Sequence, residues 1–196
     1  PLGRELYRLF ESKGVEIIRA SAQNVMRTIP GKTEREKYAR SKKTLVVATK
    51  KGVNLDICKP SADFEFSLVT NCPANCEYCY LQTSQGYRPY LRVYVNLEEI
   101  FSNIKRHIAK NNNQITTFEV ASVGDPLALE HLTGSVAKTI EFFGTLENAR
   151  LRIVTKFSNV DSLLSIKHNG HTRFRVSINS RYVIKTFEHN TAGFDE

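Results

Sequence analysis

Short apolar runs and longer stretches with helical spacing alternate along this chain. Apolar runs of strand length predict β-strands at 44–50, 64–70, 91–95, 116–121, 151–155 and 173–179. Apolar positions three or four residues apart predict helices at 4–13, 97–108, 126–143 and 160–167. From residue 64 onward, strands and helices alternate and end on a strand. This order builds a parallel sheet through right-handed crossovers.

Two residues at the ends of the predicted helices carry local signals. Asn96, followed by Glu98 and Glu99, is typical of a helix N-cap with acidic residues in the first turn. Gly144 is typical of a helix C-terminus. These signals predict that one helix begins after Asn96 and that the next ends near Gly144.

Polar and reactive residues follow several predicted strands at their carboxyl ends. They lie in the cysteine-containing run 72–79, in 122–125, at Lys156 and in 179–181. Barrel enzymes place their reactive groups at this face, so a (β/α) barrel is favoured over a doubly wound sheet. We therefore expect an α/β fold.

The chain is expected to divide near residue 64. Residues 1–63 would form an N-terminal helical and strand extension with a basic stretch. Residues 64–196 would form a partial (β/α) barrel, because too few strands are predicted to close an eight-stranded one. The chain begins at Pro1, and its last residues resemble an interrupted connection. We therefore expect a fragment whose barrel is truncated at the C-terminus.

Three of the four cysteines lie in the run TNCPANCEYCYLQT, where Cys72, Cys76 and Cys79 have the spacing C-x3-C-x2-C. Three such thiolates can hold three irons of a cubane iron–sulfur cluster, which ordinarily takes four cysteine ligands. With no fourth cysteine nearby, the fourth iron would be open to bind and reduce a small molecule. A zinc site and a disulfide loop are the alternatives. Structural zinc needs four ligands, and the nearest histidine after the run is His107.

The net charge of +8 favours a polyanionic partner such as nucleic acid, with a solubilising surface as the alternative. Basic residues concentrate in 32–51, which we call the basic stretch. No apolar run approaches the length of a membrane span, so we expect no membrane association. Four cysteines without secretory features indicate a reducing, cytoplasmic compartment.

Longer segments around the cysteines are specific enough to name a family. SLVTNCPANCEYCYLQT, RPYLRVYVNLEEIF and RFRVSINSRYVIKTFE resemble the spore photoproduct lyase family, and the resemblance extends over nearly the whole chain. The C-x3-C-x2-C motif alone resembles the wider radical S-adenosylmethionine (SAM) superfamily. The resemblance implies a partial (β/α) barrel of the radical SAM type and a further C-terminal part that helps to grip DNA. We expect that part to be absent here.

The resemblance implies a DNA repair lyase. A [4Fe–4S] cluster would donate an electron to SAM, and the resulting deoxyadenosyl radical would take a hydrogen atom from the thymine dimer of ultraviolet-irradiated spores. The dimer radical would then fragment, regain hydrogen and yield two thymines. The implied partners are UV-damaged DNA and an external electron donor. We expect a monomer acting in the spore core or the germinating cell.

The resemblance also implies residues of the SAM pocket. Tyr80 would lie near SAM, Lys156 would suit the SAM carboxylate, and Ser177 and Asn179 would complete the pocket. The ordinary alternatives are a packing aromatic for Tyr80 and a solvated strand-end lysine for Lys156.

The segment VGDP, at 123–126, loosely resembles the glycine-rich stretch that the superfamily sets against the methionine amino group. Gly124 would approach SAM closely, and Asp125 would accept a hydrogen bond from it. The alternative is an ordinary helix start, with aspartate as the N-cap before a proline.

Ser122 departs from the family pattern. The resemblance implies a cysteine there that returns hydrogen to the product radical. An alcohol O–H bond is much stronger than a thiol S–H bond, so that role does not transfer simply to Ser122. Cys58 is the one cysteine that the cluster does not need, and it is our candidate hydrogen donor. Its alternative is a small buried hydrophobic residue.

Two further functions remain open. The serine at 122 also fits a divergent radical SAM enzyme with another substrate. The basic stretch also fits a non-catalytic module that binds metal or nucleic acid.

Overall fold

The computed structural model describes residues 2–52, 54–111, 114–120 and 122–196. Within these ranges the strands are β1 (Leu45–Ala48), β2 (Asp56–Ile57), β3 (Phe64–Phe66), β4 (Val69–Thr70), β5 (Leu91–Tyr94), β6 (Thr116–Val120), β7 (Ala149–Thr155) and β8 (Thr172–Val176). The helices are α1 (Leu2–Ser12), α2 (Val25–Thr28), α3 (Glu34–Ser41), α4 (Leu81–Ser84), α5 (Leu97–Lys110), α6 (Glu130–Thr133), α7 (Ser135–Gly144) and α8 (Arg181–Phe187).

The larger sheet has the strand order β2–β3–β6–β7–β8. Strands β3, β6, β7 and β8 are parallel and lie in chain order, whereas β2 is antiparallel to β3. Parallel strands that neighbour one another in the order of the chain, with no reversal of that order within the sheet, are typical of a (β/α) barrel. Four such strands are half of an eight-stranded barrel. The α/β class is confirmed, and the strand order is consistent with a partial barrel. Ala121, the last residue of the predicted strand 116–121, lies outside the described residues.

The predicted strand 64–70 is divided between two sheets. After β3 the chain leaves the larger sheet, and β4 pairs with β5 in a smaller sheet of order β1–β5–β4. Leu68 and Val69, where the chain passes from one sheet to the other, are adjacent and both buried. Strands β1 and β2 pair with strands of residues 64–196, and the division at residue 64 stays a prediction.

The two faces of the larger sheet differ in polarity. Phe118 and Ile153 point into the main core, where Phe143 of α7 packs against them. On the opposite face, charged side chains share one register across β3, β6, β7 and β8; they are Glu65, Glu119, Arg152 and Arg173. Helices therefore cover the apolar face, and the other face is charged.

The predicted helix 126–143 is interrupted at Gly134. This residue has a φ of 56°, in the left-handed region, and it separates α6 from α7. The Glu130 carboxylate then accepts hydrogen bonds from the N–H groups of Val136 (2.7 Å) and Ala137 (2.9 Å). These bonds satisfy donors at the start of α7 and stabilise the break.

Of the other local predictions, the helix 160–167 was wrong, the helix end at Gly144 was confirmed, and the cap at Asn96 was confirmed in position only. The segment 160–167 contains only a 3-10 turn, Asp161–Leu163. Helix α5 begins directly after Asn96, as predicted, but the Asn96 side chain makes no capping hydrogen bond. Instead, its amide oxygen accepts from the Lys50 N–H (2.8 Å) and its amide nitrogen donates to the Lys50 carbonyl (3.2 Å). A partner distant in sequence has replaced the local cap.

Helices α3 and α8, which lie on either side of the cysteine run in the chain, were not predicted from the sequence. Helix α3 is mostly charged and has no apolar stripe, so periodicity could not reveal it. A local signal was present in the sequence, because Thr33 followed three residues later by Glu36 is typical of a helix start. In the structure, Thr33 Oγ1 accepts a hydrogen bond from the Glu36 N–H (3.2 Å) as an N-cap. In the described part of the chain, no helix has the length and apolar content needed to cross a membrane.

Candidate active site

The cysteine run follows β4 and is fixed at its start by Asn71. The Asn71 side-chain amide donates to the carbonyl oxygens of Arg88 (2.9 Å) and Tyr90 (3.1 Å). Its backbone N–H donates to the Val123 carbonyl (2.8 Å). The φ of Asn71 is 67°, a left-handed conformation that asparagine adopts more readily than most residues. This turn brings the start of the cysteine run beside the loop that follows β6.

Gly124 packs directly against that turn. It forms a parallel bridge with Asn71, and a Cβ atom at this position would lie 2.5 Å from the Asn71 carbonyl oxygen. Any side chain would displace the backbone, so glycine is required here. The contact with Asn71 is enough to explain why this residue is glycine, whether or not a ligand binds nearby. A close approach of Gly124 to SAM stays a prediction.

The three cysteines of the run are free thiols that line one pocket. Most of the predicted site residues line the same pocket; they are Tyr80, Ser122, Gly124, Asp125, Lys156 and Ser177. Asn179 donates to the hydroxyl of Tyr78, another lining residue, at 2.9 Å. Cys58 is absent from the lining. The fold therefore gathers groups that follow β4, β6, β7 and β8.

The arrangement of the thiols bears on what they can bind. Among the residues that the structure describes, no three His, Cys, Asp or Glu side chains are close enough to hold one metal ion. A zinc site requires ligands that converge on one ion, whereas each cysteine of a cubane cluster binds a different iron. Three unpaired thiols around one pocket therefore fit a [4Fe–4S] cluster better than zinc.

Burial raises the pKa values of Cys72 and Cys76. It raises the pKa of Cys72 to about 12, and the nearby Asp125 carboxylate contributes to the same shift. The pKa of Cys76 is also raised, first by burial and then by Glu188. Both groups are thiols at neutral pH, so iron must displace their protons when it binds.

The Asp125 carboxylate is bonded to the protein. It accepts hydrogen bonds from Thr155 Oγ1 (2.9 Å), the Lys156 N–H (2.9 Å) and the Leu127 N–H (3.2 Å). Burial raises its pKa even though these bonds favour the charged form. Asp125 thus joins the loop after β6 to the end of β7, in agreement with the helix-start alternative. A bond from Asp125 to SAM stays a prediction.

Glu188 is buried and is the centre of a polar network that the sequence did not reveal. Its Oε1 accepts from Lys156 Nζ (2.9 Å) and is also contacted by the Tyr78 hydroxyl and the Asn179 amide. Lys156 Nζ also donates to the Ser177 carbonyl (3.1 Å). Burial raises the pKa of Glu188, but the bonds from Tyr78, Asn179 and Lys156 outweigh it and lower the pKa overall. The predicted SAM-binding lysine is therefore held in an ion pair.

Backbone hydrogen bonds attach the same segment to the cysteine run. The Asn75 N–H donates to the His189 carbonyl and the Glu77 N–H donates to the Phe187 carbonyl, both at 2.9 Å. Glu188 lies between these two acceptors. The end of α8 therefore supports the cysteine run on both sides of Cys76. A glutamate at a helix end carries no motif that could have indicated this role.

Replacing Glu188 by alanine is expected to destabilise the fold by about 3 kcal/mol, because it leaves the Lys156 ammonium half-buried without its partner. The Glu188 side chain is 2% exposed and that of Lys156 is 20% exposed, so solvent cannot replace the lost contact fully. Urea unfolding of the full-length protein measures the change. Because the pKa of Glu188 is lower in the folded chain, its stabilisation is present at neutral pH and is lost as acid protonates it.

Glu77 provides a matched control for this measurement. It pairs with His189 (3.1 Å) at the same contact between segments, but its side chain is 58% exposed. Glu77→Ala should cost less than about 1 kcal/mol. Equal losses in the two variants would contradict the buried role of Glu188.

Tyr80 and Ser122 are in direct contact. The Tyr80 hydroxyl contacts the Ser122 carbonyl oxygen. The Ser122 hydroxyl is buried and has no hydrogen-bond partner among the described residues. The Ser122 side chain therefore makes no hydrogen bond to the described part of the protein.

Cys58 follows β2 and lies at the charged face of the larger sheet. Its thiol donates to Glu119 Oε1 at 3.8 Å. Burial raises its pKa to about 11, and Glu65 and Glu119 add to the shift. Glu65 also contributes to the raised pKa of Tyr80, after burial and Cys79. Glu65 therefore influences the protonation of both Cys58 and Tyr80.

Lys42 of the basic stretch lies inside the site. Its Nζ donates to the Cys72 carbonyl (2.7 Å) and to the Ala74 carbonyl (3.4 Å), and it lines the cysteine pocket. It is therefore unavailable to a distant polyanion. Lys43 and Lys51 are exposed, as the charge pattern predicts for a nucleic-acid surface.

Comparisons with known proteins agree with this geometry. The sequence model of the spore photoproduct lyase family matches residues 1–196. Curated relatives with that name are 49% identical over 195 residues in Geobacillus sp. (strain Y412MC61) and 44% identical over 196 residues in Bacillus subtilis (strain 168). Both matches cover 100% of this chain and 57% of the relative. The chain thus spans little more than half the length of these relatives.

Solved structures show the same similarity. A doubly substituted spore photoproduct lyase with bound AdoMet and dinucleoside spore photoproduct has a TM-score of 0.95 to this chain at 49% identity. A spore photoproduct lyase complexed with dinucleoside spore photoproduct also has a TM-score of 0.95, at 48% identity. Each comparison covers 100% of this chain and 57% of the solved one. The resemblance found in the sequence is therefore confirmed.

Proposed function

We propose that this chain, which belongs to the spore photoproduct lyase family, forms the cluster-binding and SAM-binding part of a radical SAM carbon–carbon lyase. The enzyme would revert the thymine dimer of spore DNA to two thymines. The observation that carries the proposal is the single pocket in which Cys72, Cys76 and Cys79 meet Tyr80 and Lys156. Relatives solved with AdoMet and with dinucleoside spore photoproduct support the same ligands here.

The residues of the pocket divide the work of binding. The three cysteines would each hold one iron of a [4Fe–4S] cluster and leave the fourth iron to SAM. A bound and reduced cluster would supply the electron for the reductive cleavage of SAM. Lys156, oriented by Glu188 and the Ser177 carbonyl, offers its ammonium group to the SAM carboxylate. Asn179 would complete this side of the pocket.

The substrate would be a thymine dimer in UV-damaged DNA. The lesion must leave the helical stack to reach a pocket among side chains, as in other enzymes that act on bases. Tyr80, whose hydroxyl already contacts the backbone of Ser122, would stand between SAM and the lesion. An external electron donor and a reducing, cytoplasmic compartment complete the requirements of such an enzyme.

Cys58 would return the hydrogen atom that ends the reaction. An S–H bond breaks, a C–H bond forms on the thymine radical, and a thiyl radical remains on Cys58. A thiolate has no hydrogen atom to give, and with a pKa of about 11 Cys58 is a thiol at neutral pH. Ser122 would then shape the pocket without donating.

The decisive experiment is turnover of a dinucleotide thymine dimer by the reconstituted, full-length protein. Release of two thymines with SAM cleavage supports the proposal. SAM cleavage without repair would favour a divergent radical SAM enzyme with another substrate. Iron-free protein that binds DNA but never cleaves SAM would favour a non-catalytic module.

Neutralising exposed residues of the basic stretch is expected to weaken DNA binding for all sequences alike. Arg40, Lys43 and Lys51 are exposed, so changing them to glutamine should remove phosphate contacts without disturbing the pocket. The slope of log affinity against log salt should fall by about 0.9 for each contact removed. Dinucleotide turnover should not change, because the dinucleotide does not reach this surface.

A charge-matched control replaces three exposed lysines outside the basic stretch, Lys13, Lys110 and Lys167, by glutamine. Its salt slope should equal that of the parent. The same slope in all three proteins would show that the basic stretch is a solubilising surface.

A further inference from the structure

Lys42 connects the N-terminal segment to the cysteine run. It follows the last residue of α3, and its Nζ donates to the carbonyl oxygens of Cys72 (2.7 Å) and Ala74 (3.4 Å). These acceptors flank the first turn of the run. A single ammonium group therefore holds two backbone positions of the loop that would carry the cluster.

Helix α3 also contacts the chain just after the cysteine run. The Tyr38 hydroxyl contacts Gln82 Oε1, on the helix that follows Cys79. Ser41, the residue before Lys42, is 0% exposed. Lys42 therefore extends from a buried, packed position, which restricts its side chain to the side of the cysteines.

The charges around the pocket give Lys42 a distinct electrostatic position. Two lysines, Lys42 and Lys156, belong to its lining. The charge of Lys156 is balanced by Glu188 at 2.9 Å. Within the described ranges, no carboxylate forms an ion pair with Lys42, whose acceptors are neutral carbonyls. Lys42 thus adds a positive charge beside the three thiols, in a lining that also contains the Asp125 carboxylate.

We propose that Lys42 is a positioning residue for the iron–sulfur cluster, which holds the cysteine loop and raises the reduction potential of the cluster. The inference rests on the proposed function, since it requires the cluster. Reduction adds one negative charge to a cluster already bound by three thiolates. A fixed positive charge beside the cluster stabilises the reduced state more than the oxidised state.

The test compares Lys42→Gln, Lys42→Arg and Lys43→Gln in the full-length protein after anaerobic reconstitution. Lys43 is the matched control, because it is the adjacent lysine but is exposed. Iron content is measured first, and the midpoint potential is then measured by redox titration followed by electron paramagnetic resonance. Circular dichroism of the iron-free proteins checks that each variant folds.

Lys42→Gln should have a more negative midpoint potential than the parent, and Lys42→Arg and Lys43→Gln should match the parent. A folded Lys42→Gln that loads less iron, while Lys42→Arg loads fully, supports the loop-holding role. Full loading and an unchanged potential in Lys42→Gln overturn the inference. An equal shift in Lys43→Gln overturns it too. A parent protein that assembles no cluster contradicts the proposed function itself, so the two failures are distinguishable.

Discussion

Replacement of Cys76 by alanine is expected to abolish cluster assembly and SAM cleavage together. Each cysteine of the run would bind a different iron, so no neighbouring ligand can substitute for a missing thiolate. Cys76 is 5% exposed and lies in the part of the run bonded to the end of α8, so water or buffer thiols have little access. Cys72→Ala and Cys79→Ala should behave alike. Iron analysis, the visible absorption of the reconstituted protein and the yield of deoxyadenosine measure the effect.

Cys58→Ala is the control for this experiment. It removes a cysteine that does not line the pocket, so iron content and SAM cleavage should equal those of the parent. A fully loaded and active cluster in any of the three variants of the run would refute the ligand assignment. Loss of iron in Cys58→Ala would show that the loading assay reports general damage.

Cys58→Ala is also expected to separate SAM cleavage from repair. The radical would still form, but the product thymine radical would lack its hydrogen donor. Clean release of two thymines should fall to a small fraction of the parent value, and adducts that trap the radical should appear. Chromatography and mass spectrometry of the reaction of a dinucleotide thymine dimer measure both outcomes.

A second substitution tests whether the loss is one of hydrogen donation. Adding Ser122→Cys to Cys58→Ala places a thiol in the pocket, next to the contact with Tyr80, and should restore repair. Ser122→Ala in the parent should leave repair nearly unchanged, because serine is a poor hydrogen-atom donor. If Cys58→Ala repairs as cleanly as the parent, Cys58 is a packing residue and another donor acts.

The chemistry proposed for this protein rests largely on local sequence. Cys72, Cys76 and Cys79 are close in the chain, so their spacing alone limits what they can bind. The strands β6, β7 and β8 and the helix α5 were predicted for a similar reason, because periodic apolar positions decide which face is buried. The family resemblance depended on continuous segments, and full-length matches confirmed it.

The tertiary structure alone decided what supports the cysteine run. Glu188 and Lys42 are separated from it by long stretches of chain, and neither residue type has a local pattern that indicates a buried partner. A distant partner also explains why the Asn96 side chain does not cap α5. The backbone of Lys50 offers that side chain both a donor and an acceptor. The sequence determined which groups could react, because that depends on residue type and local spacing. The packing of distant elements determined which charges surround those groups, because hydrogen bonds and ion pairs form between whichever groups the fold brings together.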